Sequence, residues 1–300
     1  TRPLSEYTDF KRFLLVDDLD DVKVITIRRP QAMNAISDEL NNEILDVLNK
    51  YQDDPSVKGF VLTGYGHRAF SAGGDIGLFP QTLGNKKAAI KYAKDSAEVQ
   101  RFMDRMEKPI VAAVNGMALG GGFELAIRCH GIVATQNARF QLPEITLGIL
   151  PGIGGCIVPY RKWPNGAELF HEMICLGRAI NANEGAKIGL VSKVVDRYDQ
   201  LIKEAVNEVT RLKDNIPRIS DDPVRIPDVK IPENPVSGKL KLSKEGVSII
   251  ARTIMQGAAA DSFEGALEIG YEGAGDIACT DAAKEGITAF LEKRKPQFVK

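Results

Sequence analysis

The sequence predicts an α/β protein, with β-α units on a largely parallel sheet followed by a helical C-terminal region. Three observations predict it. Short β-branched, apolar runs alternate with segments of helical period as far as residue 213. Residues 214–242 then hold five of the fifteen prolines, at 217, 223, 227, 232 and 235. Such a segment cannot be regular helix and reads as an extended linker. About three helices follow it. The expected division is therefore a core over 1–213, a proline-rich linker over 214–242 and a helical region over 243–300.

Taken in order, Phe10–Val16 and Val22–Ile27 read as strands, and the acidic Asp17–Asp21 as the hairpin turn between them. Ser37 caps a helix over 38–52. Asp38 and Glu39 sit in its first turn, near the positive end of the dipole, and Leu40, Ile44, Leu48 and Tyr51 keep the helical period. Lys58–Thr63 is a strand ending at Gly64. Residues 85–107 read as one helix, with Ile90, Ala93, Ala97 and Met103 near one face and Pro109 closing it. Ile110–Val114 is a buried strand, Gly122–Cys129 a helix, and Ile132–Ala134 and Val191–Val195 further strands. A helix runs from about Asp199 to Leu212. The last helix is capped by Thr280 and opened by Asp281. Ala283, Ile287, Phe290 and Leu291 form its apolar stripe. Lys293, Arg294 and Lys295 complement its negative end, and Pro296 stops it. No internal repeat is visible.

Composition excludes several function classes. A chain of 300 residues, 44% hydrophobic and 26% charged, is ordinary globular material. Its formal net charge of -1 gives no global field to recruit nucleic acid or an anionic membrane. No apolar run reaches the length a membrane span needs, and the N-terminus has no signal-peptide core. Cys129, Cys156, Cys175 and Cys279 fit no metal-ligand spacing and read as reduced thiols of a cytoplasmic protein, most of them buried. His67, His130 and His171 make no paired ligand pattern, so no metal is expected.

One glycine motif is set aside. Residues 64–69, GYGHRA, follow a strand and fit a dinucleotide fingerprint. That fingerprint must open a helix. Here Phe70, Ser71, Ala72 and the pair Gly73-Gly74 follow, which do not propagate one. Three other segments carry more. HRAFSAGGDI at 67–76 brings paired glycines whose backbone can approach a ligand closely. NGMALGGGFELA at 115–126 places a glycine turn after a buried strand and before a helix, so that main-chain N–H groups converge on an anion, including one formed only in a transition state. FQLPEITLGILPGIGG at 140–155 holds one carboxylate, Glu144, in an otherwise apolar stretch. Taken singly, each segment favours a bland reading: the glycine runs as tight packing, Glu124 as a surface residue of a helix and Glu144 as the cap of a turn. Their conjunction in this order points to a site.

Together with RPQAMNA at 29–35 and AFLEKRKP at 289–296, these segments resemble the signature of the crotonase (enoyl-CoA hydratase/isomerase) superfamily, over nearly the whole chain apart from 214–242. The resemblance implies a crotonase-type spiral of strand–strand–helix (ββα) turns and a helical C-terminal oligomerisation region forming a homotrimer or hexamer. It implies an oxyanion hole built from the N–H groups of Gly74 and Gly121. It also implies two catalytic glutamates, Glu124 to hold and activate water and Glu144 to deliver a proton to the α-carbon, with the Gly152 N–H helping to place Glu144 or the water. Ala32, Ala72, Asp75 and Ile76 would contact the coenzyme A portion of the acyl-CoA substrate. Lys295, in the basic end of the last helix, would lie near its phosphates. No metal or redox cofactor is implied.

The implied reaction is syn addition of water to a 2-enoyl-CoA, giving 3-hydroxyacyl-CoA. Isomerisation, thioester or ring hydrolysis, hydration of a cyclic dienoyl-CoA, and a non-catalytic RNA-binding role stay open as alternatives within the superfamily. The absent initiator Met and the long 214–242 segment fit the hydratase part of a fusion with a 3-hydroxyacyl-CoA dehydrogenase.

Overall fold

The computed structural model describes residues 3–74 and 76–298, with backbone only for Ile76 and Leu78. The chain forms two compact units that interleave along it, where the sequence suggests regions in succession. One comprises Thr1–Gly74, Glu98–Phe140 and Ile180–Arg218, and the other Asp75–Ala97, Gln141–Ala179 and Ile219–Lys300.

The first unit holds the two larger sheets. Seven strands pair in the order Asp9–Phe10, Leu14–Leu19, Val22–Ile27, Gly59–Gly64, Ile110–Val114, Gly131–Thr135, Lys193–Val195. From Val22–Ile27 onward every pairing is parallel, and the two pairings before it are antiparallel. The hairpin is tighter than the sequence suggests. Asp17 and Asp18 stay in the strand, and only Asp20 and Asp21 turn, both at positive φ of 51° and 64°. Two such residues give the turn whose twist matches the flanking strands.

Val22, Val24, Val61, Val111, Ala113 and Val133 pack against Leu201, Ala205, Val206, Val209 and Leu212 of the helix Tyr198–Leu212. The alternate residues Ile25, Phe60, Leu62, Ile110 and Ala112 are buried too. Both faces are thus covered, which is why these strands read as continuous apolar runs.

Three of the long parallel strands each feed a short one of a second, four-stranded sheet, ordered Ile180–Asn181, Arg139–Gln141, Met117–Leu119, Ala69–Ser71. Gly59–Gly64 leads to Ala69–Ser71, Ile110–Val114 to Met117–Leu119 and the helix Gly121–Arg128, and Gly131–Thr135 to Arg139–Gln141. This is the strand–strand–helix spiral. The glycine segment 64–69 crosses between the two sheets and opens no helix.

The second unit is helical. Lys86–Ser96, Lys244–Ala259 and Phe263–Ala278 pack together, and Asp281–Leu291 follows. A Cβ on Gly273 would lie 2.3 Å from Thr253 Oγ1, so the glycine permits a close crossing. The helix expected over 85–107 is two helices. It breaks at Ala97, whose N–H is shared between the carbonyls of Ala93 and Lys94, and Glu98–Met103 belongs to the other unit. In the last helix Ala283 and Ile287 are buried as expected. Phe290 and Leu291 are instead half exposed, since the covered face ends before them.

Residues 219–242 carry no helix, only a small hairpin pairing Val236–Ser237 with Leu240–Lys241. The segment's start is anchored by the buried Arg161. Its Nη1 donates to Ser220 O (2.8 Å) and Asp222 O (3.0 Å), and its Nη2 to Gly257 O (3.1 Å) and Ala260 O (2.7 Å). The last two acceptors lie at the C-terminal end of Lys244–Ala259, where helix carbonyls lack intrahelical donors.

The thiols of Cys129, Cys156 and Cys175 are buried and that of Cys279 is exposed. His171, on Ala167–Leu176, is buried beside the Tyr160 ring, centroids 5.4 Å apart. Burial lowers its pKa, partly opposed by Glu168. An unfolded histidine takes up a proton near pH 6.5, and the folded one resists it. The stability His171 contributes is therefore present above pH 6.5 and lost as pH falls through its lowered folded value. The melting temperature is expected to drop more steeply between pH 7 and 5 in the native protein than in His171→Gln. Equal slopes would show that His171 is not the source.

Candidate active site

In the first unit, the two glycine motifs meet. Gly120 caps the helix Gly121–Arg128 at φ 49° and ψ -129°, a conformation open to glycine. Glu124 N–H donates to Gly120 O at 2.9 Å, so the amides of Gly121 to Phe123 form the first turn, which has no intrahelical acceptors.

The Gly73–Gly74 loop packs directly on this turn. A Cβ on Gly73 would lie 3.0 Å from Leu119 O and 3.6 Å from the Gly121 nitrogen, and one on Gly122 would lie 2.6 Å from Ser71 Cβ and O. Ile36 N–H donates to Gly73 O at 2.8 Å. Across the trans peptide, the Gly74 N–H therefore points away from Ile36. Gly74 itself is exposed, with nothing within 4 Å of where a Cβ would stand.

Two main-chain donor segments are thus held side by side, with open space at Gly74. Glu124 lies on the same helix, one turn in, and is only 3% exposed. The surface-helix reading of this residue fails on that burial. A carboxylate in a first turn is also favoured by the helix dipole.

Ala32 and Ala72 are brought close by the bond from Ala72 N–H to Met33 O, 3.0 Å. Asp75 lies outside the described residues, and the backbone of Ile76 opens the 3-10 helix Ile76–Thr82.

In the second unit, Glu144 opens the 3-10 helix Glu144–Leu147, and its carbonyl accepts from Ile149 N–H at 3.2 Å. That turn is pressed onto the last helix. A Cβ on Gly148 would lie 2.3 Å from Ala282 O, and one on Gly286 would lie 2.1 Å from Leu147 O. The C-terminal helix therefore sets the position of the Glu144 turn. Gly152 packs near Ala274 and Ala93. Lys295 is exposed beyond the last helix, where its carbonyl accepts from Arg294 at 3.4 Å. Arg294 itself pairs with Glu285 and Glu292. Sequence reading missed Ser71, Gly148 and Gly286 as supports of the site. Their signal was only their place inside or beside the motifs.

Fold and site define a class, a ββα-spiral protein with main-chain donors converging at a helix start and a buried carboxylate one turn away. Residues 19–222 match the sequence profile described as Enoyl-CoA hydratase/isomerase. The chain is 34% identical over 289 residues to a crotonyl-CoA hydratase of Syntrophomonas wolfei, covering 95% of this chain and 97% of that protein. It is 35% identical over 278 residues to a short-chain-enoyl-CoA hydratase of Clostridium acetobutylicum, covering 91% and 92%. Among solved structures, an enoyl-CoA hydratase from Bacillus anthracis superposes with a TM-score of 0.61 at 27% identity, covering 96% of this chain and 99% of that one. A carnitinyl-CoA hydratase from Mycobacterium avium does so with 0.67 at 26%, covering 96% and 98%. The chain belongs to the enoyl-CoA hydratase/isomerase family.

Proposed function

We infer that this protein hydrates 2-enoyl-CoA thioesters to 3-hydroxyacyl-CoA. The observation that carries the reading is the Gly73–Gly74 loop seated on the first turn of the helix that bears the buried Glu124. In this reading the amides of Gly74 and Gly121 donate to the thioester oxygen as negative charge builds on it. Donors of this kind are worth about 10²–10³ in rate each. They are main chain, so the site needs a backbone shape free of side chains, which is what the glycines provide.

Glu124 accepts a proton from water as its oxygen bonds to the β-carbon. Glu144 delivers a proton to the α-carbon as the enolate collapses, and the Gly152 N–H steadies that carboxylate or the water. A hydroxyl from water and a proton from Glu144 are thus added to one face of the double bond, and transfer of the proton held on Glu124 to Glu144 resets the pair, so the net addition is one water. Ala32, Ala72, Asp75 and Ile76 line the coenzyme A path, and Lys295 serves its phosphates. No metal or redox group is needed.

The reading extends to a cytoplasmic homotrimer or hexamer assembled through 243–300. Light scattering would report a monomer if that part is wrong. Among the described residues no helix is long and apolar enough to cross a membrane.

With crotonyl-CoA, the conjugated absorbance is expected to fall, and the product to gain the mass of one water. Unchanged mass with a moved double bond would make the protein an isomerase, and release of free coenzyme A a hydrolase. No turnover at any chain length would remove the enzymatic reading.

A further inference from the structure

Two asparagines that belong to neither catalytic carboxylate nor oxyanion donor tie the two glycine loops together. Asn34 and Asn115 are each 1% exposed. Asn115 ends the strand Ile110–Val114 and begins the turn that leads to Gly121. Its Nδ2 donates to Gly64 O (2.8 Å), Gly66 O (2.7 Å) and Ala69 O (3.1 Å), and its Oδ1 accepts from Gly64 N–H (3.1 Å). Asn34 Nδ2 donates to Ala69 O (2.8 Å) and Tyr65 O (3.1 Å), while its Oδ1 accepts from Arg29 N–H (3.1 Å). All the acceptors are carbonyls and all the donors are N–H groups, so the orientation of both side-chain amides is fixed.

Between Gly64 and Ala69 the chain crosses from one sheet to the other, and the carbonyls of Tyr65 and Gly66 in that crossing accept from the two asparagines; a buried carbonyl left unpaired is a cost in its own right. Both asparagines converge on Ala69 O, at the start of the strand that runs through Ser71 to Gly73 and Gly74. The segment carrying Asn34 also holds the far end of that run. Met33 O accepts from Ala72 N–H, and Ile36 N–H donates to Gly73 O. Holding Asn34 there takes left-handed backbone at Met33 and at Asn34 itself, φ 51° and 58°. Such strain persists where its surroundings demand it.

We propose that Asn34 and Asn115 are positioning residues that set the direction of the Gly74 amide and lock its loop to the strand leading to Gly121. Neither touches the reacting atoms. The proposal rests on the thioester-binding role given to those two amides under the hydratase reading.

The test uses the full-length protein with crotonyl-CoA labelled with ¹³C at the thioester carbonyl. Asn115→Asp keeps an acceptor for Gly64 N–H but turns an anionic oxygen on three carbonyls. Asn34→Ser keeps one donor and is the milder variant, to be used if the first fails to fold. In the native protein, difference infrared spectroscopy should show the bound carbonyl stretch moved to lower frequency. In a variant whose circular dichroism is native, that shift is expected to shrink and kcat to fall between about 10-fold and 10²-fold, with KM changed less than threefold.

A folded variant with the full carbonyl shift and kcat within twofold of native would overturn the proposal. So would a loss confined to KM, or a native protein that binds the thioester without any shift. A native protein that shifts the carbonyl yet adds no water would sink the hydratase reading alone. The infrared comparison would then still decide the role of the asparagines.

Discussion

Replacing Glu144 or Glu124 by glutamine is expected to lower kcat for enoyl-CoA hydration by about 10²–10⁴-fold each, the range of a positioned acid or base. Glutamine keeps the shape and part of the hydrogen bonding and removes only the proton chemistry. Binding of an unreactive acyl-CoA should therefore change little. Glu124 sits 3% exposed in the first turn of its helix, so a neutral amide there costs some dipole stabilisation but leaves no cavity.

The double variant is the sharper measurement. Two groups serving one addition of water act as a unit, and their losses do not multiply. The double variant is expected to turn over only slightly more slowly than the worse single one, with the residual rate supplied by the main-chain donors. Multiplying losses would mean independent roles, and a native rate in either single variant would take that glutamate out of the mechanism. A Glu124→Gln variant that still moves a double bond would show Glu144 sufficient for isomerisation.

Much of this site was legible because it is made of backbone. Glycine runs at 73–74 and 120–122 have few reasons to exist in a strand–helix connection other than close approach, and the structure uses Gly73 and Gly122 in that way. Ends of elements marked by local chemistry were also legible. Ser37 and Thr280 accept from Leu40 and Ala283 N–H as their sequence context implies.

Features decided at a distance were not. Nothing local marks Ala97, a good helix former, as a break. It becomes one because the chain there passes from one compact unit to the other. Phe290 and Leu291 continue the helical period of Ala283 and Ile287, yet period alone cannot say where the covering surface ends. Five prolines announced that 214–242 would not be helix, but the four carbonyls gathered by Arg161 come from positions 59 to 99 residues away. The ββα repeat left no internal periodicity in the sequence for a related reason, and it was implied only by the family resemblance. Its turns share a path through space, with strand lengths and loop chemistry that differ each time.

Asp104→Ala is expected to destabilise the protein by about 3–5 kcal/mol, the cost of breaking a buried ion pair from one side. Arg128 closes the helix that carries Glu124, one turn beyond it, and its side chain is 0% exposed while that of Asp104 is 15% exposed. The guanidinium meets the carboxylate in two places, Nε to Oδ1 at 2.8 Å and Nη2 to Oδ2, so the contact is bidentate. Removing the aspartate leaves a cation buried in the first unit with its main counter-charge gone. Removing both charges together does not. Asp104→Leu with Arg128→Met should therefore cost less than Asp104→Ala alone, and urea midpoints of the single and double variants decide it. The cation also sits at the negative end of its helix, which offsets part of the loss when Asp104 alone is removed. If Asp104→Ala unfolds at the native urea concentration, the pair contributes nothing measurable, and packing around Leu125 and Ile127 alone holds this helix in place. If the double variant proves the less stable, the charge pair is a net source of stability.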